Sequence, residues 1–191
     1  MLIENRVALS SICVEIGAPD HPVTLQGLGL DPELLEVSVL AALQRTGQQS
    51  IDFLQLPGIN ADSLIPKELI VKLRDLVAEG LVHKWGIRAR TVKQAMRAMS
   101  FLGLDFVSVS AADLGMSAVP GILRAANRAK MPVMISVSAD TSPLTIAEIR
   151  DNPSVLAVLI EARNEQEQAL ADRTLTSLSS GKEYASAIKI A

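Results

Sequence analysis

The sequence predicts an α/β protein whose core is a parallel sheet of about six short strands. Three observations carry that expectation. Short apolar runs alternate with amphipathic stretches of helical period along most of the chain. Hydrophobic residues make up 49% of the sequence while Phe, Trp and Tyr together supply only 3%, so the interior is built from Leu, Ile, Val, Ala and Met. Such a composition suits strands buried on both faces by helices. Each segment between apolar runs is also long enough for the crossover that two parallel strands require.

The elements follow in order. Residues 6–16 form a first strand with its exit, and 21–31 a loop rich in Gly, Pro and Asp. A helix over 32–46 is expected from leucines at 34, 35, 40 and 43 and valines at 37 and 39, with Pro32 suited to its first turn. Residues 50–56 are the second strand. Pro66 then starts a helix with Leu69, Ile70, Leu73, Leu76 and Val77 as its apolar positions, and Gly80 stops it. Residues 82–87 form a strand. Thr91 caps a helix containing Val92, Ala95, Met96 and Met99, which ends near Gly103. Next come a strand at 105–110, a helix at 118–130, a strand at 132–137, a short helix at 145–150 and a strand at 155–160. A helix at 165–175 follows, and Ser179-Ser180-Gly181 precedes a further helix at 183–190.

At 191 residues and 20.4 kDa the chain is expected to be one domain spanning 1–191, with a helical tail over 174–191. The net charge is −3 and no dense Lys/Arg block occurs, which argues against nucleic acid as a partner. The scarcity of aromatic residues argues against a base-stacking platform. Cys13 is the lone cysteine, so neither an internal disulfide nor a cysteine metal cluster can form, and a reducing, cytoplasmic compartment is expected. No signal-like segment and no apolar run of membrane-spanning length is present in the sequence.

Residues 31–52, DPELLEVSVLAALQRTGQQSID, lead into IDFLQLP, and residues 69–87 end in LVAEGLVHKWGI. Leu43, Arg45, Gly47, Ile51-Asp52-Phe53, Leu76, Glu79-Gly80, Val82 and Gly86-Ile87 together resemble consecutive segments of the aldo/keto reductases. Residues 131–137, with their Pro-Val-apolar pattern, resemble a later strand of that family. Residues 155–168, with Ala162-Arg163-Asn164 and Glu165-Gln166, resemble the segment that closes its barrel. The resemblance spans most of residues 31–168. It implies an incomplete or partner-completed TIM-type (β/α) barrel, running from about the third barrel strand through the eighth. The strands that bear the family's catalytic aspartate and tyrosine have no counterpart before Met1.

The same resemblance identifies what is missing. Pro57 stands where the family has its active-site histidine, and proline can be neither acid, base nor hydrogen-bond donor. The family lysine would fall near Ser10-Ser11, and the one tyrosine, Tyr184, lies in the final segment. No catalytic residue is therefore assigned. Gly86-Ile87 is followed by Arg88-Ala89 in place of the Ser and Asn that hold a nicotinamide amide. Val107-Ser108-Val109-Ser110 then Ala112-Asp113 stands where a Gln and an aromatic-Asn pair would be. Glu161 replaces a glycine at the phosphate-binding end, where a carboxylate repels phosphate. No cofactor is expected; Arg88, Asp113 and Arg163 are the candidates if NADP or NAD is held.

Other chemistries find less support. The glycines at 27, 29, 103, 115 and 121 do not form a dinucleotide-binding signature, and no metal site is expected, because His21 and His83 stand alone. Cys13 lacks an activating histidine, and the serines around Ser136 and Ser138 lack a nucleophile elbow. Glu15, Arg88, Asp113, Asp140 and Glu161 all follow predicted strands, at the end where barrel enzymes place their sites. They are expected to solvate loop ends, with convergence at a shared mouth as the competing reading.

The reading that follows is a catalytically inactive, aldo/keto-reductase-like scaffold or regulatory subunit. It would act by association with a protein partner or a second copy that covers its sheet edges. Leu175, Leu178, Ile188 and Ile190 form a candidate docking stripe, with closure of the protein's own core as the alternative. The competing functions are a divergent NAD(P)H-dependent reductase completed by another subunit, and a small-molecule-binding module.

Overall fold

The computed structural model describes residues 12–15, 31–57, 65–162, 164–179 and 189–190, with backbone alone for the first and last of these segments. The elements are β1 (Ile12–Glu15), α1 (Pro32–Thr46), β2 (Ile51–Pro57), α2 (Lys67–Ala78), β3 (Val82–Ala89), α3 (Val92–Ala98) and β4 (Phe106–Ser110). They continue with α4 (Ala111–Leu114), α5 (Val119–Ala129), β5 (Val133–Ser138), α6 (Pro143–Arg150), β6 (Val155–Glu161), α7 (Glu165–Ser179) and β7 (Lys189–Ile190). All strands pair in parallel, in the spatial order β6-β5-β4-β3-β2-β1-β7. Five longer strands, β2 to β6, thus make the body of the sheet, and two short ones extend it beyond β2.

Local chemistry sets the helix boundaries. Asp31 caps α1 by accepting the Glu33 N–H at 2.8 Å, Pro32 occupies its first turn, and Gly47 ends it with φ +67°. Thr91 and Ser142 cap α3 and α6 through the N–H groups of Gln94 and Thr145. In α2 the buried residues are Leu69, Leu73 and Leu76, one stripe at helical spacing facing the sheet.

Strand alternation sorts the core into two clusters. Leu54, Leu56, Trp85, Ile87, Val107, Val109, Ile135 and Val137 face the helices and join their buried residues in the larger cluster. The opposite face holds a smaller cluster of Phe53, Phe106, Met134, Leu156, Ala157 and Leu159, with no helix residue in it. Phe53 and Phe106 meet edge to face there, with ring centroids 5.8 Å apart. This second face is therefore the inside of a curved sheet.

Three sequence expectations need correction. Strand count rises from six to seven, because Lys189–Ile190 pairs in parallel with β1 at the end of the expected helical tail. Two residues beside an otherwise unpaired edge of β1 gain ladder hydrogen bonds there that a short terminal helical turn would not. α4 and a 3-10 turn at Met116–Ala118 fill the connection after β4, where no element was expected. Finally, α3 ends at Ala98 rather than near Gly103, since Ser100 and Phe101 bond back to Arg97 and Ala98 in tighter turns.

A candidate site at the C-terminal rim of the sheet

The strands all run in one direction, so their C-terminal ends share one rim. Register places Pro57 opposite Arg88 and Arg88 opposite Ser108. Ser110 lies opposite Ser136, and Ser138 opposite Glu161. These residues alternate with the helix-facing set and so occupy the concave face.

Arg88 is the centre of the arrangement. Its Nη2 donates to Glu161 Oε1 at 3.2 Å and lies 3.9 Å from Asp113 Oδ2. The Arg88 and Glu161 side chains are each 19% exposed, that of Asp113 44%. On a flat sheet β3 and β6 would lie three strand spacings apart, roughly 14 Å. Contact between their side chains requires the sheet to curl toward this face. Asp113 reaches the pair because α4 starts directly after β4, with the Ser110 hydroxyl accepting the Asp113 N–H at 3.4 Å.

Beneath the ions the concave face is small and polar. Ser108, Ser110 and Ser136 are buried there, and so is Gln55 on β2. Ser138 donates to Asp140 and lies 3.3 Å from the Thr141 hydroxyl. One guanidinium faces two carboxyl groups here, so acceptors outnumber the cation. Such a cluster orients hydroxyl, amide or ammonium groups of a ligand better than it holds a phosphate.

The structure brings together Arg88, Asp113 and Glu161, where solvation of separate loop ends was the expectation. Curvature is the reason: these residues are up to 73 positions apart and meet only because the sheet bends. Asp140 sits on the same rim but bonds locally to Ser138. Backbone register puts Glu15 opposite Gln55, and Arg163, His21 and Tyr184 lie outside the described residues. His83 contacts Asp52 at 3.2 Å near the opposite end of the strands, in an exposed pair. Leu178 packs against the larger core cluster, in line with core closure; the described residues place no side chain for Ile188 or Ile190.

Sequence reasoning missed the buried serines as a group. Their signal was the repeat of Val-Ser-Val-Ser at 107–110 and Ile-Ser-Val-Ser at 135–138, two adjacent strands with serine on alternate positions. Among the described residues no group of three His, Cys, Asp or Glu side chains is arranged to hold a metal ion. No helix among them is long and apolar enough to cross a membrane.

No protein-family model matches the sequence, and no curated protein matches it. Solved structures do match the fold. A Pseudomonas aeruginosa protein provisionally described as an aldo-keto reductase superposes with a TM-score of 0.58 at 20% identity, over 86% of this chain and 68% of that one. An aldo-keto reductase from Bacillus halodurans in its apo form gives 0.52 at 13% identity, over 79% and 68%. A third aldo-keto reductase, solved in complex with NADPH, gives 0.53 at 11% identity, over 92% and 60%. At these identities the likeness is one of fold. The chain thus has a divergent aldo-keto-reductase-like fold, with an open, curled parallel sheet in place of a complete barrel.

Proposed function

We propose that this protein is a small-molecule-binding module that uses the C-terminal rim of its incomplete barrel. The convergence of Arg88, Asp113 and Glu161 over a floor of buried serines carries this reading. A polar ligand rich in hydroxyl or amino groups can accept from Arg88 and donate to the carboxylates, while Ser138 and Asp140 extend the polar rim. NADP or NAD is a poorer fit, because Glu161 meets any phosphate with like charge and Arg88 is already engaged. Reductase chemistry at this rim would need an acid–base group that Pro57 does not offer.

The test compares thermal unfolding of the wild type with Arg88→Ala and Glu161→Gln in the presence of polyols, amino sugars and NADPH. The expected result is a saturable rise in Tm with a hydroxyl- or amino-bearing ligand, lost in both variants and absent with NADPH. A lack of saturable stabilisation by every such ligand overturns the reading. Stabilisation by NADPH together with its oxidation by a carbonyl compound would instead favour a reductase.

One observation favours a second reading, a scaffold or regulatory subunit acting through association. The outer edge of β6 has no strand partner among the described residues, and its sequence VLAVLI carries no charge before Glu161. Unprotected parallel edges of this kind pair readily with another chain.

A further inference from the structure

At the end of the strands opposite the rim, a cavity of about 220 Å³ lies between the C-terminus of α5 and the starts of β5 and β6. Met131, Val155 and Leu156, all buried, give it an apolar wall. Its polar groups are Lys130, Asn127 and Ser154, and no carboxylate lines it. The Ser154 hydroxyl donates to the Asn127 side-chain oxygen at 2.5 Å. That bond uses the amide's acceptor and leaves its NH₂ as the group able to meet a ligand. Among the described residues Lys130 forms no ion pair.

The backbone at Lys130 supplies an independent observation. It is the one non-glycine residue with positive φ among those described, at φ 53° and ψ 34°. This position after a helix favours glycine, which carries no Cβ to strain. Arg128 already places a cation in the last turn of α5, so the helix dipole does not call for another. What Lys130 adds is an ammonium at the mouth of an apolar cavity.

We infer that this cavity binds a small monocarboxylate with a short apolar body. The Lys130 ammonium and the Asn127 amide hold the carboxylate through charge-assisted hydrogen bonds, and Met131, Val155 and Leu156 enclose the hydrocarbon. The volume is below the range of about 300–1,000 Å³ usual for drug-sized ligands, which limits the ligand to a few carbons beyond its head group. This site lies at the far end of the strands from Arg88 and does not depend on ligand binding at the rim.

The test is a titration of the isotopically labelled full chain with hexanoate and with 1-hexanol, followed by amide NMR. Hexanoate is expected to give saturable shifts around residues 127–133 and 153–156, with a Kd about tenfold tighter than the alcohol. Lys130→Gly, whose backbone suits this position, is expected to weaken hexanoate about tenfold, leave hexanol unchanged and preserve or raise Tm. Lys130→Asn, which also tolerates a left-handed backbone, is expected to give the same loss, and Arg88→Ala none. The inference is overturned by an absence of saturable shifts at about 20 mM hexanoate. Equal affinity for acid and alcohol, or undiminished hexanoate binding in both Lys130 variants, overturns it as well.

Discussion

At Gly86 a Cβ would lie 2.3 Å from the Phe106 carbonyl oxygen and 2.7 Å from its ring. The backbone oxygen belongs to a central ladder and cannot step aside, so strand β3 accepts only hydrogen at this point. Gly86→Ala is expected to destabilise the fold by about 1–3 kcal/mol, seen as a lower urea midpoint with an unchanged m-value. An unaltered midpoint would mean that Phe106 moves freely, and that the inner cluster is loosely packed. Gly86 was legible in the sequence only as part of a Gly-Ile pair typical of a fold. Its reason, an aromatic ring seated on the neighbouring strand, depends on register. Arg88 shows the same division. Its place at a strand end followed from the pattern around residues 82–87, whereas its bond to Glu161 followed from curvature, which one-dimensional periodicity does not encode.

At the scale of elements, α1 and α2 are tied by Lys72, whose ammonium donates to Glu36 at 2.7 Å. That hydrogen bond raises the Lys72 pKa above its ordinary 10.5, against the opposing effect of burial and with smaller help from the charges of Glu36, Asp75 and Glu79. A raised lysine pKa stabilises the fold fully below the unfolded value, and the contribution fades as pH rises through the folded one. The stability difference between wild type and Lys72→Met is therefore expected to stay constant across neutral pH and to narrow above about pH 10.5. Denaturant titrations of both proteins at a series of pH values measure it; a gap that closes below pH 9 or so would exclude Lys72 as its source.

Element identity was legible wherever period and caps agreed. α1 emerged from Pro32 and its leucines and valines with its observed bounds, and the structure adds Asp31 and Gly47 as its caps. α4 did not, because four residues cannot establish a period and its cap, Ser110, also ends a strand. That small element nevertheless sets the position of Asp113, so a site residue was visible while the device that aims it was hidden.

For the whole molecule, the open sheet is the dominant fact. Its outer β6 edge is expected to recruit a second copy, giving a mass in light scattering that rises above 20.4 kDa with concentration. A constant monomer mass over a wide concentration range would leave no role for that edge in self-association. The incomplete barrel itself was legible through the order of family-like segments. The seventh strand was not, since two residues near position 190 carry no pattern from which pairing can be read.

That seventh strand has a consequence for the order in which the protein is made. β1 leaves the ribosome well before residues 189–190, the partner on its far side. At about 5–20 residues per second, roughly 10–35 s pass between them. Throughout that interval one flank of β1 lacks the partner strand that residues 189–190 later supply. A nascent-chain holdase would find its target there, and a ribosome stalled before residue 189 would leave that flank without its partner strand.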